Sequence, residues 1–130
     1  MSKLTIAVLA TLIAAPALAQ APAQPLSAYK GDAAAGAKLF TTCKTCHSGE
    51  AGKNMIGPSL FGVVGRPSGS VKGYTYSAAN LASKIKWTPD NLFTYLANPR
   101  KMIPGTKMTY AGMPDPQKRA NLIAYLATLK

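Results

Sequence analysis

Both cysteines and the one histidine of the chain fall within five consecutive residues, Cys43-Lys44-Thr45-Cys46-His47. Three chemistries use such a cluster: a thiol-disulfide pair, a zinc site, and covalent attachment of a haem. A structural zinc site needs four ligands, ordinarily thiolates and imidazoles, and this chain offers three. A thioredoxin-like pair sets its first thiol at a helix N-terminus, where the dipole lowers the thiol pKa. Here the cysteines come at the C-terminal end of an expected helix, and no βαβ pattern accompanies them. A plain disulfide suits an exported protein but gives His47 nothing to do. Haem attachment uses the whole cluster: two cysteines separated by two residues reach the vinyl groups of one porphyrin edge, and the adjacent histidine binds iron from one face.

A second iron ligand must then come from elsewhere. With no other histidine in the chain, a bis-histidine haem is excluded within a monomer, which leaves methionine, lysine or an open site. Of five methionines, Met1 begins an apolar leader, Met55 lies soon after His47, and Met102 follows an expected helix. Met108 and Met113 share the segment PGTKMTYAGMPDP between helices. A methionine in an irregular segment is less readily explained as core filler than one on a helix stripe. By spacing alone Met108 and Met113 stand equal.

The leader MSKLTIAVLATLIAAPALAQ has a basic start at Lys3, an apolar run from Leu4 to Leu18, and Ala17-Leu18-Ala19 before Gln20. These are the parts of a secretory signal with an A-x-A cleavage site, and the run is too short, and broken by Pro16, to span a bilayer at ~20 residues. Residues 1–19 are therefore expected to be removed on export to the periplasm. Residues 20–30 form a Pro/Ala-rich lead expected to bury little, and residues 31–130 make one domain. About 100 residues bury little more than ~60% of their unfolded surface, so an apolar cofactor would enlarge the core. The formal net charge of +11 over the whole sequence points to acidic proteins or an anionic membrane surface as partners. Export argues against nucleic acid.

The elements that must position the cluster are helical. Asp32 caps a helix running AAAGAKLFTTCKTCH, with the cluster at its end and Gly36 and Phe40 on one face. Gly36 mid-helix implies close approach by another element. Ser77 opens a short helix with Leu81 and Ile85 a turn apart. Thr88-Pro89 opens another, with Leu92, Phe93 and Leu96 inward, and Asn98-Pro99 ends it. Asp115-Pro116 starts the last, whose stripe is Leu122, Tyr125, Leu126 and Leu129. Between His47 and these helices, Ser48 to Asn80 holds seven of eleven glycines, a long irregular segment of the kind that wraps something. Its Met55, Ile56, Leu60, Phe61, Val63 and Val64 need a surface to cover.

In order and spacing, CKTCH, GPSLFGVVGR, GYTYSAAN, NPRKMIPGTKM and LIAYL resemble class I c-type cytochromes, in particular mitochondrial cytochrome c and its small soluble bacterial relatives. The likeness runs from about Gly31 to Lys130. It implies an all-α fold of four to five helices around one covalent haem c, with the N- and C-terminal helices crossing where Gly36 and Phe40 meet Leu122 and Tyr125. It implies Cys43 and Cys46 as tethers and His47 and Met108 as axial ligands. Pro58 would orient His47 through its carbonyl. Arg66, Tyr76 and Trp87 would hold the propionates, and Asn80, Tyr95 and Thr106 would form a polar cluster beside Met108. Tyr74 and Phe93 are expected in the plain core. The sequence departs from the mitochondrial pattern in having Phe40 one residue nearer the first cysteine, Tyr110 for a phenylalanine, and Met113 as an extra methionine.

With both axial positions filled the iron could only change oxidation state, which makes the chain a one-electron carrier and not an enzyme. The rival readings are a haem protein with a labile methionine acting on small molecules, peroxidase-like or gas-binding, and a haemless thiol-disulfide protein. Lys44, Lys53, Lys101 and Lys107 flank the haem-bearing segments and are expected to steer the edge toward acidic redox proteins. A quinol-cytochrome c reductase, a terminal oxidase, a reaction centre or a dehydrogenase would each suit, met by a monomer.

Overall fold

The computed structural model describes residues 24–130, and the expected leader lies outside them. A 3-10 turn, Leu26–Ala28, precedes five helices: α1 (Ala33–Cys43), α2 (Ala78–Ser83), α3 (Pro89–Ala97), α4 (Pro99–Met102) and α5 (Pro116–Leu126). Each helix begins on a side chain that accepts a backbone N–H, from Asp32, Ser77, Thr88, Asn98 and Asp115 in turn. Such caps satisfy amides that the first turn cannot pair. Among the described residues the only β pairing is an isolated antiparallel bridge, Pro67 to Lys86. The all-α expectation holds.

Helices α1 and α5 cross in contact, and Gly36 explains how. A Cβ there would run into the Asn121 carbonyl and come within 2.8 Å of Tyr125 Cβ. Beside this close approach the Phe40 and Tyr125 rings pack at 5.0 Å, with Phe40 and Leu122 each 1% exposed. Removing a side chain of that size from water contributes about 2 kcal/mol. Leu92, Phe93, Tyr95 and Leu96 of α3 join Leu122, Ile123 and Leu126 of α5 in the same core.

Three local expectations change. The proline at 99 ends α3, yet Asn98 also caps the single turn α4 by accepting from Lys101 N; proline tolerates a first helical position because its missing N–H would be unpaired there. Leu81 is 56% exposed, and Ile85 lies beyond the end of α2, so that helix has no inward stripe. The lead buries more than expected: Leu26 and Tyr29 pack against the core, and the Tyr29 ring lies 5.8 Å from that of Phe93. Gln117 Nε2 also donates to the Lys30 carbonyl at 2.7 Å.

Residues 48–80 form a chain of turns tied at each step. Ser59 Oγ donates to the Glu50 carbonyl, Gly62 N to Leu129 O, and Gly65 N and Trp87 N exchange bonds with the carbonyls of Trp87 and Arg66. Gly65, at φ +87°, takes a backbone shape that other residues adopt at a cost. Val63 is buried, and Leu60 and Val64 are partly so. Met55, Ile56 and Phe61 stay exposed.

Candidate functional site

Helix α1 stops at Cys43, so the cysteine-histidine cluster straddles its end. Cys46 N and His47 N both donate to the Cys43 carbonyl, at 3.1 and 2.9 Å. That tight turn sets both thiols and the imidazole against one cavity of about 570 Å³. Both cysteines are half-buried, and no disulfide joins them.

His47 is gripped on two sides. Its Nδ1 lies 2.7 Å from the Pro58 carbonyl, an acceptor that requires the proton on Nδ1 and leaves Nε2 with its lone pair. Beneath the ring runs the Gly57 backbone, where a Cβ would come within 2.6 Å of Nδ1. Burial lowers the His47 pKa, the bond to Pro58 opposes that, and the charge of Arg66 adds to the lowering. The net direction keeps the imidazole neutral, the form that can ligate a metal.

Across the same cavity, Met108 is held by polar side chains. The Tyr95 hydroxyl donates to Met108 Sδ at 3.2 Å, and Thr106 Oγ1 accepts from Met108 N at 3.2 Å. Burial pushes the Tyr95 phenol up, its hydrogen bond with Thr106 opposing. The Trp87 and Tyr95 rings pack at a tilt, with centroids 4.7 Å apart.

The other expected pocket residues also line this cavity: Pro58, Arg66, Tyr76, Asn80 and Trp87. Arg66 donates to the carbonyls of Phe61 and Ser59 at 2.8 and 3.0 Å, and the Tyr76 hydroxyl accepts from Val71 N. Met113 does not line it. Of the four lysines, Lys107 alone does; its ammonium bonds to the Thr75 carbonyl and sits 4.6 Å from the Tyr74 ring centre. Lys44 lies 6.0 Å from the Phe40 ring, Lys53 pairs with Glu50 at 3.2 Å, and Lys101 is exposed in α4.

Tyr74 is a correction: it is no plain core residue but a wall of the cavity. Its ring meets Tyr76 edge-on at 4.8 Å, and its hydroxyl donates to the Ile56 carbonyl at 2.9 Å. Gly57 was missed as well, although a glycine directly before Pro58 hinted at a tight backbone. Tyr110 and Ile56 also line the cavity, the latter at its open side with 75% exposure.

These walls fit a covalently held haem. Leu60, Val63, Leu92, Leu96, Leu122 and Leu126 supply an apolar interior for a large flat ring. Two of the cavity's lining residues, Arg66 and Asn80, each keep a buried polar atom, Nε and Oδ1, without a partner among the described residues, as expected of groups awaiting a polar ligand. Cysteine, imidazole and thioether are donors suited to haem. Among the described residues no group of three or more His, Cys, Asp or Glu side chains could hold a metal ion.

Comparison with known proteins agrees. The cytochrome c family model matches residues 33–130. A cytochrome c2 of Rhodopila globiformis is 59% identical over 105 residues, 80% of this chain and 99% of that protein. The cytochrome c of Arabidopsis thaliana is 52% identical over 99 residues, 75% of this chain and 88% of that protein. The solved structure of cytochrome cH from Methylobacterium extorquens superposes with a TM-score of 0.72 at 47% identity, covering 75% of this chain and 99% of that one.

Proposed function

From the premise that this chain belongs to the cytochrome c family and is an electron carrier with covalently bound haem c, we propose that Cys43 and Cys46 tether the haem and that His47 and Met108 hold its iron. One observation carries this reading: a histidine with one ring nitrogen committed to a backbone carbonyl and the other free shares a single cavity with a thioether. Haem c supplies a reversible one-electron change at iron.

The residues do the rest. Pro58 and Gly57 hold the imidazole in one orientation with Nε2 unprotonated. Tyr95 and Thr106 fix Met108. The leucines and Val63 keep water from the ring, and a dry pocket with a thioether donor favours the reduced state. Arg66, Tyr76 and Trp87 take the propionates, and Asn80 completes the polar group beside Met108. With His47 and Met108 both holding the iron, no place would be left for a substrate, so the protein would carry electrons and not act as an enzyme.

Residues 1–19 direct export to the periplasm and are removed, residues 20–30 form the lead, and the domain occupies residues 31–130. The carrier works as a monomer. Lys44, Lys53, Lys101 and Lys107 present a positive surface to acidic redox proteins, among them a quinol-cytochrome c reductase, a terminal oxidase, a reaction centre or a dehydrogenase, with transient contact at an anionic membrane. Association with such a domain should slow as salt rises.

The deciding experiment pairs two readings on the exported protein. Intact mass should equal the chain from Gln20 plus one haem, and the reduced protein should bind carbon monoxide slowly and incompletely at neutral pH. A mass matching the bare chain removes the tethers. Rapid, complete binding removes Met108 as a stable ligand.

A further inference from the structure

Two methionines stand five residues apart in the segment between α4 and α5, and only Met108 reaches the cavity. Met113 packs instead against the core, and its backbone is fastened on both sides. Its N–H donates to the Leu96 carbonyl at the end of α3, at 2.7 Å. The preceding Gly112, at φ +112°, lies so close to the Ala97 carbonyl that a Cβ could not be accommodated.

The second fastening is Arg119, in the first turn of α5. It is a cation with 7% exposure, and one of its terminal nitrogens donates to two successive carbonyls, Met113 O at 2.7 Å and Pro114 O at 2.9 Å. The guanidinium lies 4.3 Å from the Phe93 ring centre, and its Nε has no partner among the described residues. A buried charge with an orphaned nitrogen is a poor way to fill a core, since an apolar side chain of similar size avoids the desolvation. What the guanidinium adds is a donor to two carbonyls of one segment.

We propose that Arg119 is a positioning residue that makes thioether ligation exclusive to Met108, by clamping Met113-Pro114 between α3 and α5 and holding the Met113 thioether out of the haem cavity. This rests on the reading of Met108 as the axial ligand. The clamp acts on the wrong methionine, while Tyr95 and Thr106 act on the right one.

The test is proton NMR of the reduced holoprotein, in which the ring current of the porphyrin shifts the resonances of a ligating methionine far from all others. The wild type should show one shifted methionine set. Arg119→Ala, and less strongly Arg119→Lys, should gain a second set that disappears when Met113→Leu is added. Met108→Ala alone should lose the signal, and Met108→Ala with Arg119→Lys should regain a set dependent on Met113. A single wild-type set in both Arg119 variants overturns the proposal, as does recruitment of Met113 by Met108→Ala alone. If Arg119→Ala does not accumulate with haem, the Lys variant decides by the same criterion; if neither holds haem, Arg119 serves folding and the proposal falls. Retention of the wild-type set in Met108→Ala would instead remove Met108 as the ligand, and with it both readings.

Discussion

The two walls of the cavity are held in different ways. On the His47 side the grip is backbone: the turn after α1, the Pro58 carbonyl and the Gly57 main chain all touch the ring or its own residue. On the Met108 side it is side chain: one phenol on the sulfur and one threonine hydroxyl on the amide. Backbone held by tight turns and flanking cysteines has few alternative positions. A long unbranched thioether in an irregular segment has many. The difference teaches that the imidazole is positioned by the chain path, whereas the methionine is positioned by its neighbours, so that under the proposed ligation exchange of ligand belongs to the methionine side.

Three substitutions probe that asymmetry. The largest effect is expected at Gly57→Val, which drives a branched side chain into the His47 ring and should remove about 3 kcal/mol of holoprotein stability, seen as a lower urea midpoint at unchanged slope. A loss below about 1 kcal/mol would mean that the imidazole can swing aside and that the backbone side is not the stiffer one.

Next comes Thr106→Ala. It leaves the half-buried Met108 N–H without its acceptor, for about 1 kcal/mol, and should raise the rate of carbon monoxide binding to the reduced protein while Thr106→Ser restores it. An unchanged rate would show that the methionine segment needs no such support.

The smallest effect at neutral pH is expected for Tyr95→Phe, about 0.5 kcal/mol, because a thioether is a weak acceptor. Its signature lies in alkali. Burial raises the Tyr95 phenol above its ordinary value, so folding favours the protonated form; that contribution is whole below the unfolded pKa of ~10 and is lost as pH rises through the native one. Wild-type stability should therefore decline more steeply above pH ~10 than that of Tyr95→Phe. Parallel declines would mean that the phenol is not held neutral in the core.

Much of the molecule was legible because its signals are short-ranged. Asp32, Ser77, Thr88 and Asp115 each cap the helix they introduce, since the acceptor lies within three residues of the amide it serves. The inward faces of α3 and α5 follow from helical spacing. Asn98 was read as an end and proved also a beginning, because capping chemistry does not reveal that a single further turn will form. Leu81 and Ile85 were read as a turn apart on one short helix, but the helix ends at Ser83, and six residues give too short a face to compel burial of Leu81.

The site divides along the same line. The five-residue cluster announced its cofactor because both tethers and one ligand candidate must be adjacent to grip one porphyrin edge, and adjacency is visible in any sequence. Family likeness extended that to GTKM. Spacing could not rank Met108 above Met113, place Tyr74 on the cavity wall, or foresee that the lead would pack against Phe93. Those outcomes depend on contacts between distant parts of the chain, such as Tyr95 with Met108, Arg119 with Met113, and Gly36 with Asn121. Sequence alone determined the ligand chemistry and the helices, because adjacency and helical period are local; the folded chain decided what spacing left equal, placing Met108 on the cavity and Met113 against the core, because close packing depends on contacts between distant segments.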